Sequence, residues 1–176
     1  RSGADRAVLA DAVIRLRTSR LVGIPTETVY GLAASTFDPR AIEQIYAVKE
    51  RPHDNPLIAH VSSIEMARSL CRSWPDAASV LAEACWPGPL AMVLDRDPSV
   101  PAIAAGGRDS IAVRMPAHPV ALRLIESFGG PVSAPSANRS GSISPTEARH
   151  VLADFVDEDL LILDGGPCHI GLESTV

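Results

Sequence analysis

Lysine is almost missing from this chain. Of its sixteen basic residues fifteen are arginine, and the single lysine is Lys49. Chance and codon bias can produce that skew; the other reading is that Lys49 marks a place where a compact ammonium is wanted and a planar guanidinium does not serve. Cysteine is scarce as well. Cys71, Cys85 and Cys168 are odd in number and form no Cys-x-x-Cys pair, so neither a disulfide framework nor a zinc knuckle is indicated. Two Trp, two Tyr and three Phe give little surface for stacking single-stranded bases. A net charge of −5 argues against nucleic-acid affinity spread over the whole surface, though not against a local basic cleft. No apolar run approaches the roughly 20 residues that span a bilayer. Arg1 to Arg20 mixes charge with aliphatics and has no signal-peptide stretch. No membrane span and a cytoplasmic location are therefore expected.

With 176 residues the chain is most simply one domain, and a hydrophobic share of 46% excludes a disordered one. Apolar spacing predicts a helix over Ala4 to Leu16, with Val8, Leu9, Ala12, Val13 and Leu16 on one face. Asp38 or Pro39 opens a second helix in which Ile42, Ile45, Tyr46 and Lys49 share a face, so Lys49 falls near its C-terminal end. Further helices are expected from Ser62 or Ser63 to Leu70, over about Pro75 to Cys85, over Pro119 to Phe128, and from Ser144-Pro145-Thr146-Glu147 with Pro in the first turn. Expected strands are Leu21 to Ile24, Leu57 to Val61, Leu90 to Leu94, Ile111 to Met115, Val132 to Ala134, Leu160 to Leu163 and Glu173 to Val176. Strands alternating irregularly with helices imply a mixed α/β sheet. The four acids from Asp154 to Asp159 read as a solvated turn.

Residues 25–32 read Pro-Thr-Glu-Thr-Val-Tyr-Gly-Leu. Pro25 stops ladder pairing, Thr26, Thr28 and Tyr30 offer three hydroxyls, and Gly31 lets backbone or ligand come close. A plainer reading is strand, Pro turn and second strand, with Thr and Tyr serving β propensity. Lys49 to Asn55 holds two cations and an amide in one Pro-bounded turn. A triphosphate needs such donors together, but cations answering a helix macrodipole look the same. The loop Ser133 to Gly141 carries hydroxyls, the Asn138 amide and backbone N–H groups that can form a neutral anion nest, or merely a polar surface. Arg114 sits in the apolar run Ile111 to Met115, where a charge is costly unless paired or liganded. A bidentate hold on a ligand carboxylate would account for it, and so would a salt bridge to Glu27 or Glu173. His60 ends another apolar run, usually a structural place for a lone His. No Walker A loop, GxGxxG, HExxH, Ser-His-Asp order or spaced carboxylate pair occurs.

Taken together, PTETVYGL, Lys49 to Pro52, Asn55 to Leu57, Trp86 to Leu90, Ala112 to Pro116, Ser133 to Gly141 and Gly171 to Val176 resemble, in the same order, the YrdC-type threonylcarbamoyl-adenylate synthases, which include the bacterial TsaC group. The resemblance implies a three-layer α/β domain over 1–176, with a twisted mixed sheet around a positive cavity. It implies that ATP, L-threonine and bicarbonate give threonylcarbamoyl-AMP, pyrophosphate and water, for threonylcarbamoyladenosine modification of tRNA. On this resemblance Lys49 and Arg51 are the catalytic cations. Lys49, Arg51, Asn55, Ser110, Ser136, Asn138 and Ser144 would meet ATP. Thr28, Tyr30, His60, Arg114, Ala134 and Ser174 would meet threonine.

Mg2+ would arrive with ATP rather than in a protein metal site, and a TsaD-type transferase would pass the product on to tRNA. Stable nucleic-acid binding by the chain itself is not expected. Two other readings stay open: a carbamoyl-adenylate-forming domain on the same scaffold, and a non-catalytic module for structured RNA. The chain begins without Met and stops at Val176, where the family continues with more strand, which implies a domain trimmed at its C-terminus. Lys49→Ala is expected to abolish pyrophosphate release with little change in thermal midpoint.

Overall fold

Val22–Ile24 and Gly31–Ser35, two runs of small and aliphatic residues, pair as antiparallel strands β1 and β2. Around them the computed structural model, which describes residues 2–3 and 5–176, places five more strands. These are β3 (Ile58–His60), β4 (Met92–Asp95), β5 (Ser110–Arg114), β6 (Val132–Ser133) and β7 (Leu161–Ile162). The sheet order is β4-β5-β3-β6-β2-β1-β7. β3–β5 and β1–β7 are parallel and the other four pairings antiparallel, so the sheet is mixed as expected. Every residue of β1 is buried, which explains its unbroken apolar run.

Among the described residues six α-helices cover the two faces of the sheet. α1 (Arg6–Arg17) and α5 (Pro119–Phe128) pack on one side, where Ala12, Val13, Leu16, Val120, Leu124 and Ile125 close over β1 and β7. α2 (Pro39–Lys49), α3 (Ile64–Ser69) and α4 (Asp76–Cys85) contribute to a second core that includes Ile42, Ile45, Tyr46, Leu57, Leu70 and Ile111. α6 (Ala148–Asp154) joins this core through Val151. These are the three layers expected. Ala4, the expected start of α1, lies outside the described residues.

Local chemistry sets the helix ends. Asp38 caps α2 by accepting from the Arg40 and Ala41 N–H groups at 3.0 and 3.4 Å, and Pro39 follows where its missing N–H costs nothing. Glu50 closes α2 at φ +54°, a conformation uncommon outside glycine, and reverses the chain so that Lys49 and Arg51 diverge. Ser63 caps α3, and Gly129 ends α5 at φ +78°. One expected start fails: α6 begins at Ala148, not at Ser144-Pro145. The Pro145 carbonyl instead accepts from the Tyr30 N–H at 2.8 Å, and that of Thr146 from Cys168 at 2.9 Å. Long-range backbone pairing has overridden a local helix signal. Glu173 to Val176 forms only a bridge, Thr175 beside Leu90. Among the described residues no helix is long and apolar enough to cross a membrane.

Candidate active site

The turn between β1 and β2 is held by its own hydroxyls. Thr26 Oγ1 donates to the Val29 carbonyl at 2.6 Å and accepts from the Thr28 and Val29 N–H groups, each at 3.2 Å. Thr26 and Thr28 therefore sit in the turn and not in a strand, so β propensity is not why they are there. The C-terminal segment straps this turn: the Ile170 and Gly171 N–H groups donate to the Glu27 and Thr28 carbonyls at 2.9 and 3.1 Å. Gly31 then passes so close to Ala134 that a Cβ on it would lie 3.2 Å from the alanine methyl.

Where turn, sheet and strap meet there is a cavity of about 230 Å3. Thr28, His60, Arg114, Ala134 and Ser174, five of the six residues expected at the amino acid, line it. Arg51 and Ser136 line it too, as do Pro56 and Ile58. At below the roughly 300–1,000 Å3 of drug-sized sites, the enclosed part suits a small acid, and a nucleotide would extend beyond it. β3 and β5 run parallel with His60 beside Arg114, so the two come from adjacent strand ends. Ser110, four residues before Arg114, lies toward the Arg51–Pro56 end and is not a lining residue.

Arg114 is 3% exposed, and three groups hold its guanidinium. Nε donates to Gly88 O and Nη1 to Thr28 Oγ1, both at 3.1 Å, while Nη2 stands 2.7 Å from Glu27 Oε1. Of the two salt-bridge partners expected as alternatives, Glu27 is realised; Glu173 instead accepts from Ser144 Oγ. The contact to Glu27 is ionic and not a well-aligned hydrogen bond, and neither Glu27 Oε1 nor Arg114 Nη2 has another hydrogen-bond partner. Gly88 can offer its carbonyl only because it lacks a side chain, since a Cβ there would fall 2.2 Å from the Cys85 carbonyl.

His60 is buried, with Nδ1 3.1 Å from the Ile58 carbonyl. Burial first, and the Arg114 charge second, push its pKa down to about 3 from an ordinary 6.5. The imidazole is neutral at physiological pH, and an Nδ1–H donated to Ile58 leaves Nε2 as an acceptor. Between pH 3 and 6.5 the unfolded chain binds a proton that the native His60 does not. This group's contribution to stability is therefore full above about pH 6.5 and lost as pH falls toward 3. An NMR titration should show no His60 shift change between pH 5 and 8; a midpoint near 6.5 would contradict the buried neutral ring.

Lys49 is 1% exposed and is not a cavity-lining residue. Its ammonium donates to the Ser136 carbonyl at 2.6 Å and to the Asn138 carbonyl, while its own carbonyl accepts from the Ser140 N–H at 2.9 Å. Burial, reinforced by Arg51, pushes its pKa down to about 8. The lone lysine thus clamps the Ser-rich loop to the end of α2, which revises the expectation that removing it leaves stability unchanged. Asn138 is buried; its Nδ2 donates to Ser142 O at 2.6 Å and its Oδ1 has no partner. Arg51 reaches the Asn55 and Pro56 carbonyls at 3.2 and 2.9 Å. The Asn55 side chain is exposed outside the cavity wall, and Ser144 touches the site through Glu173.

Tyr30 stands apart. Its buried hydroxyl donates to Gly166 O at 2.7 Å and accepts from Gly165 N–H at 3.2 Å, outside the cavity, and burial pushes its pKa up to about 12. Sequence reasoning did not assign Glu27, Gly88 or Glu173 to the site. The Thr-Glu-Thr spacing around Glu27 was the available signal.

The Sua5/YciO/YrdC family model, described as telomere recombination, matches residues 15–176. A threonylcarbamoyl-AMP synthase of Pyrococcus abyssi is 50% identical over 161 residues, covering 92% of this chain and 47% of that protein. One of Bacillus subtilis is 45% identical over 170 residues, covering 96% and 49%. The crystal structure of P. abyssi Sua5 complexed with L-threonine superposes with a TM-score of 0.94 at 49% identity, over 96% of this chain and 49% of that one. The chain thus spans about half the length of these two curated relatives. A match that runs through the turn, both strand ends and the Ser-rich loop lining the cavity makes this chain a member of the Sua5/YciO/YrdC family.

Proposed function

We propose that this chain forms threonylcarbamoyl-AMP and pyrophosphate from L-threonine, bicarbonate and ATP. One observation carries the reading: a small cavity that joins a buried arginine, a neutral imidazole and hydroxyls to a second arginine beside a clamped Ser/Asn loop. The similarity to a threonine-bound relative supports the amino-acid half. Threonine's carboxylate would face Arg114, with Thr28, His60, Ala134 and Ser174 around the rest of the molecule. Its amine attacks bicarbonate, losing water, and a carbamate oxygen then attacks the α-phosphorus while pyrophosphate leaves.

Arg51, on the cavity wall, would neutralise the charge that develops on the leaving pyrophosphate, and the loop held by Lys49, with Ser136 and Asn138, would lie along the nucleotide. Catalysis on this reading is positioning and charge neutralisation, with no protein nucleophile. Magnesium would come with ATP. The exposed Glu173 carboxylate on the cavity wall offers the single oxygen ligand that a phosphate-bound Mg2+ commonly takes from protein. A TsaD-type transferase on tRNA would consume the product, and the cytoplasm is the location we propose. The test is pyrophosphate release with all three substrates and then with each omitted in turn. Release should need threonine and bicarbonate together; ATP cleavage indifferent to both would sink the reading.

A further inference from the structure

We propose that Glu27 is a specificity-determining residue: by counter-charging Arg114 it makes the cavity select an amino-acid zwitterion over a plain carboxylate. The inference rests on the reading of this cavity as an amino-acid site. Glu27 is 7% exposed, and its Oε1 lies 2.7 Å from Arg114 Nη2. It is also anchored at both ends. Oε2 accepts from the Ala117 N–H at 3.1 Å, and the backbone carbonyl accepts from Ile170 at 2.9 Å. Arg114 lines the substrate cavity, whereas Glu27 lines a separate one of about 540 Å3 with His118 and His169. Glu27 thus acts on the substrate cavity through the arginine and not as a ligand of its own.

The chemistry follows from the charges. A buried, unpaired guanidinium attracts any small carboxylate, because little water screens it. With a carboxylate fixed against it, the pair is close to neutral at the range of an incoming ligand. A simple acid then gains little, since Glu27 repels what Arg114 attracts. A zwitterion meets both signs at once. Specificity of this kind arises from repulsion of the wrong ligand as much as from attraction of the right one. Arg114 Nη2 and Glu27 Oε1 have no other hydrogen-bond partner, so each of these buried atoms is answered chiefly by the other.

The measurement is calorimetric titration of L-threonine and of 3-hydroxybutanoate, which has the same skeleton without the amine. Both are titrated into the unsubstituted chain, Glu27→Gln and Glu27→Asp, with a melting curve for each. The unsubstituted chain should prefer threonine at least tenfold. Glu27→Gln should lower that ratio at least fivefold, mainly by tightening the amine-free acid, a change that a merely structural role would not produce. Glu27→Asp keeps the charge but withdraws it, and should give an intermediate ratio. If the glutamine variant does not fold, the aspartate ratio decides. Both folded variants keeping the original ratio would overturn the proposal, as would an unsubstituted chain binding both acids alike. An unsubstituted chain that binds neither overturns the amino-acid reading itself, and this inference with it.

Discussion

Arg114→Met should lower the unfolding free energy by about 3–5 kcal/mol, because it strands the buried Glu27 carboxylate without its cation. For a chain of this size that is a fall in Tm of roughly 6–20 °C. The same change should weaken threonine binding by about 1.5–3 kcal/mol, tenfold to more than a hundredfold, through loss of a charge-assisted contact. Methionine keeps the length and apolar stem of arginine, so β5 itself should persist. The two effects separate in the double variant Arg114→Met with Glu27→Gln. Removing the stranded charge should restore much of the stability and none of the threonine affinity. Recovery of both together would mean that Arg114 serves only the fold.

Lys49→Ala is expected to fail twice over. Its ammonium bonds two loop carbonyls, and hydrogen bonds to a charged group contribute about 1.5–3 kcal/mol each. Loss of both should release the Ser136–Asn138 loop, costing about 3 kcal/mol or more and abolishing pyrophosphate release. Lys49→Arg keeps the charge but puts a planar fork into a buried site fitted to a compact ammonium, and should be impaired as well. Lys49→Met tests packing alone: it fills the stem's space and should melt above Lys49→Ala while remaining inactive. Melting curves and pyrophosphate assays on the three variants check this. Full activity in Lys49→Arg would remove the argument from the lysine's uniqueness, and activity in Lys49→Met would remove its role in the loop.

Much of the fold was legible because its signals are local. Asp38-Pro39 capped α2 as expected, the Ile42-Ile45-Tyr46-Lys49 face is buried, and Gly129 stopped α5. The helix expected at Ser144-Pro145 failed because the Pro145 carbonyl is taken by Tyr30, more than a hundred residues away in sequence. Tyr30 itself looked like a third hydroxyl of the motif, yet its side chain turns away from the cavity toward Gly165 and Gly166. Residue type gave the inventory of donors but not the side on which each would fall.

The sequence by itself determined which chemistry could be present: a charge inside an apolar strand, a lone lysine at a helix end, and hydroxyls grouped in two loops. Each is a cost or a composition that holds wherever the chain goes, and so it can be read without coordinates. Only the tertiary structure decided what compensates each one. It chose Glu27 over Glu173 for Arg114, gave Lys49 to the loop carbonyls, and made His60 neutral beside Arg114. Those choices depend on distances between segments joined by the sheet order, and electrostatic and hydrogen-bond energies fall away within a few ångströms of contact.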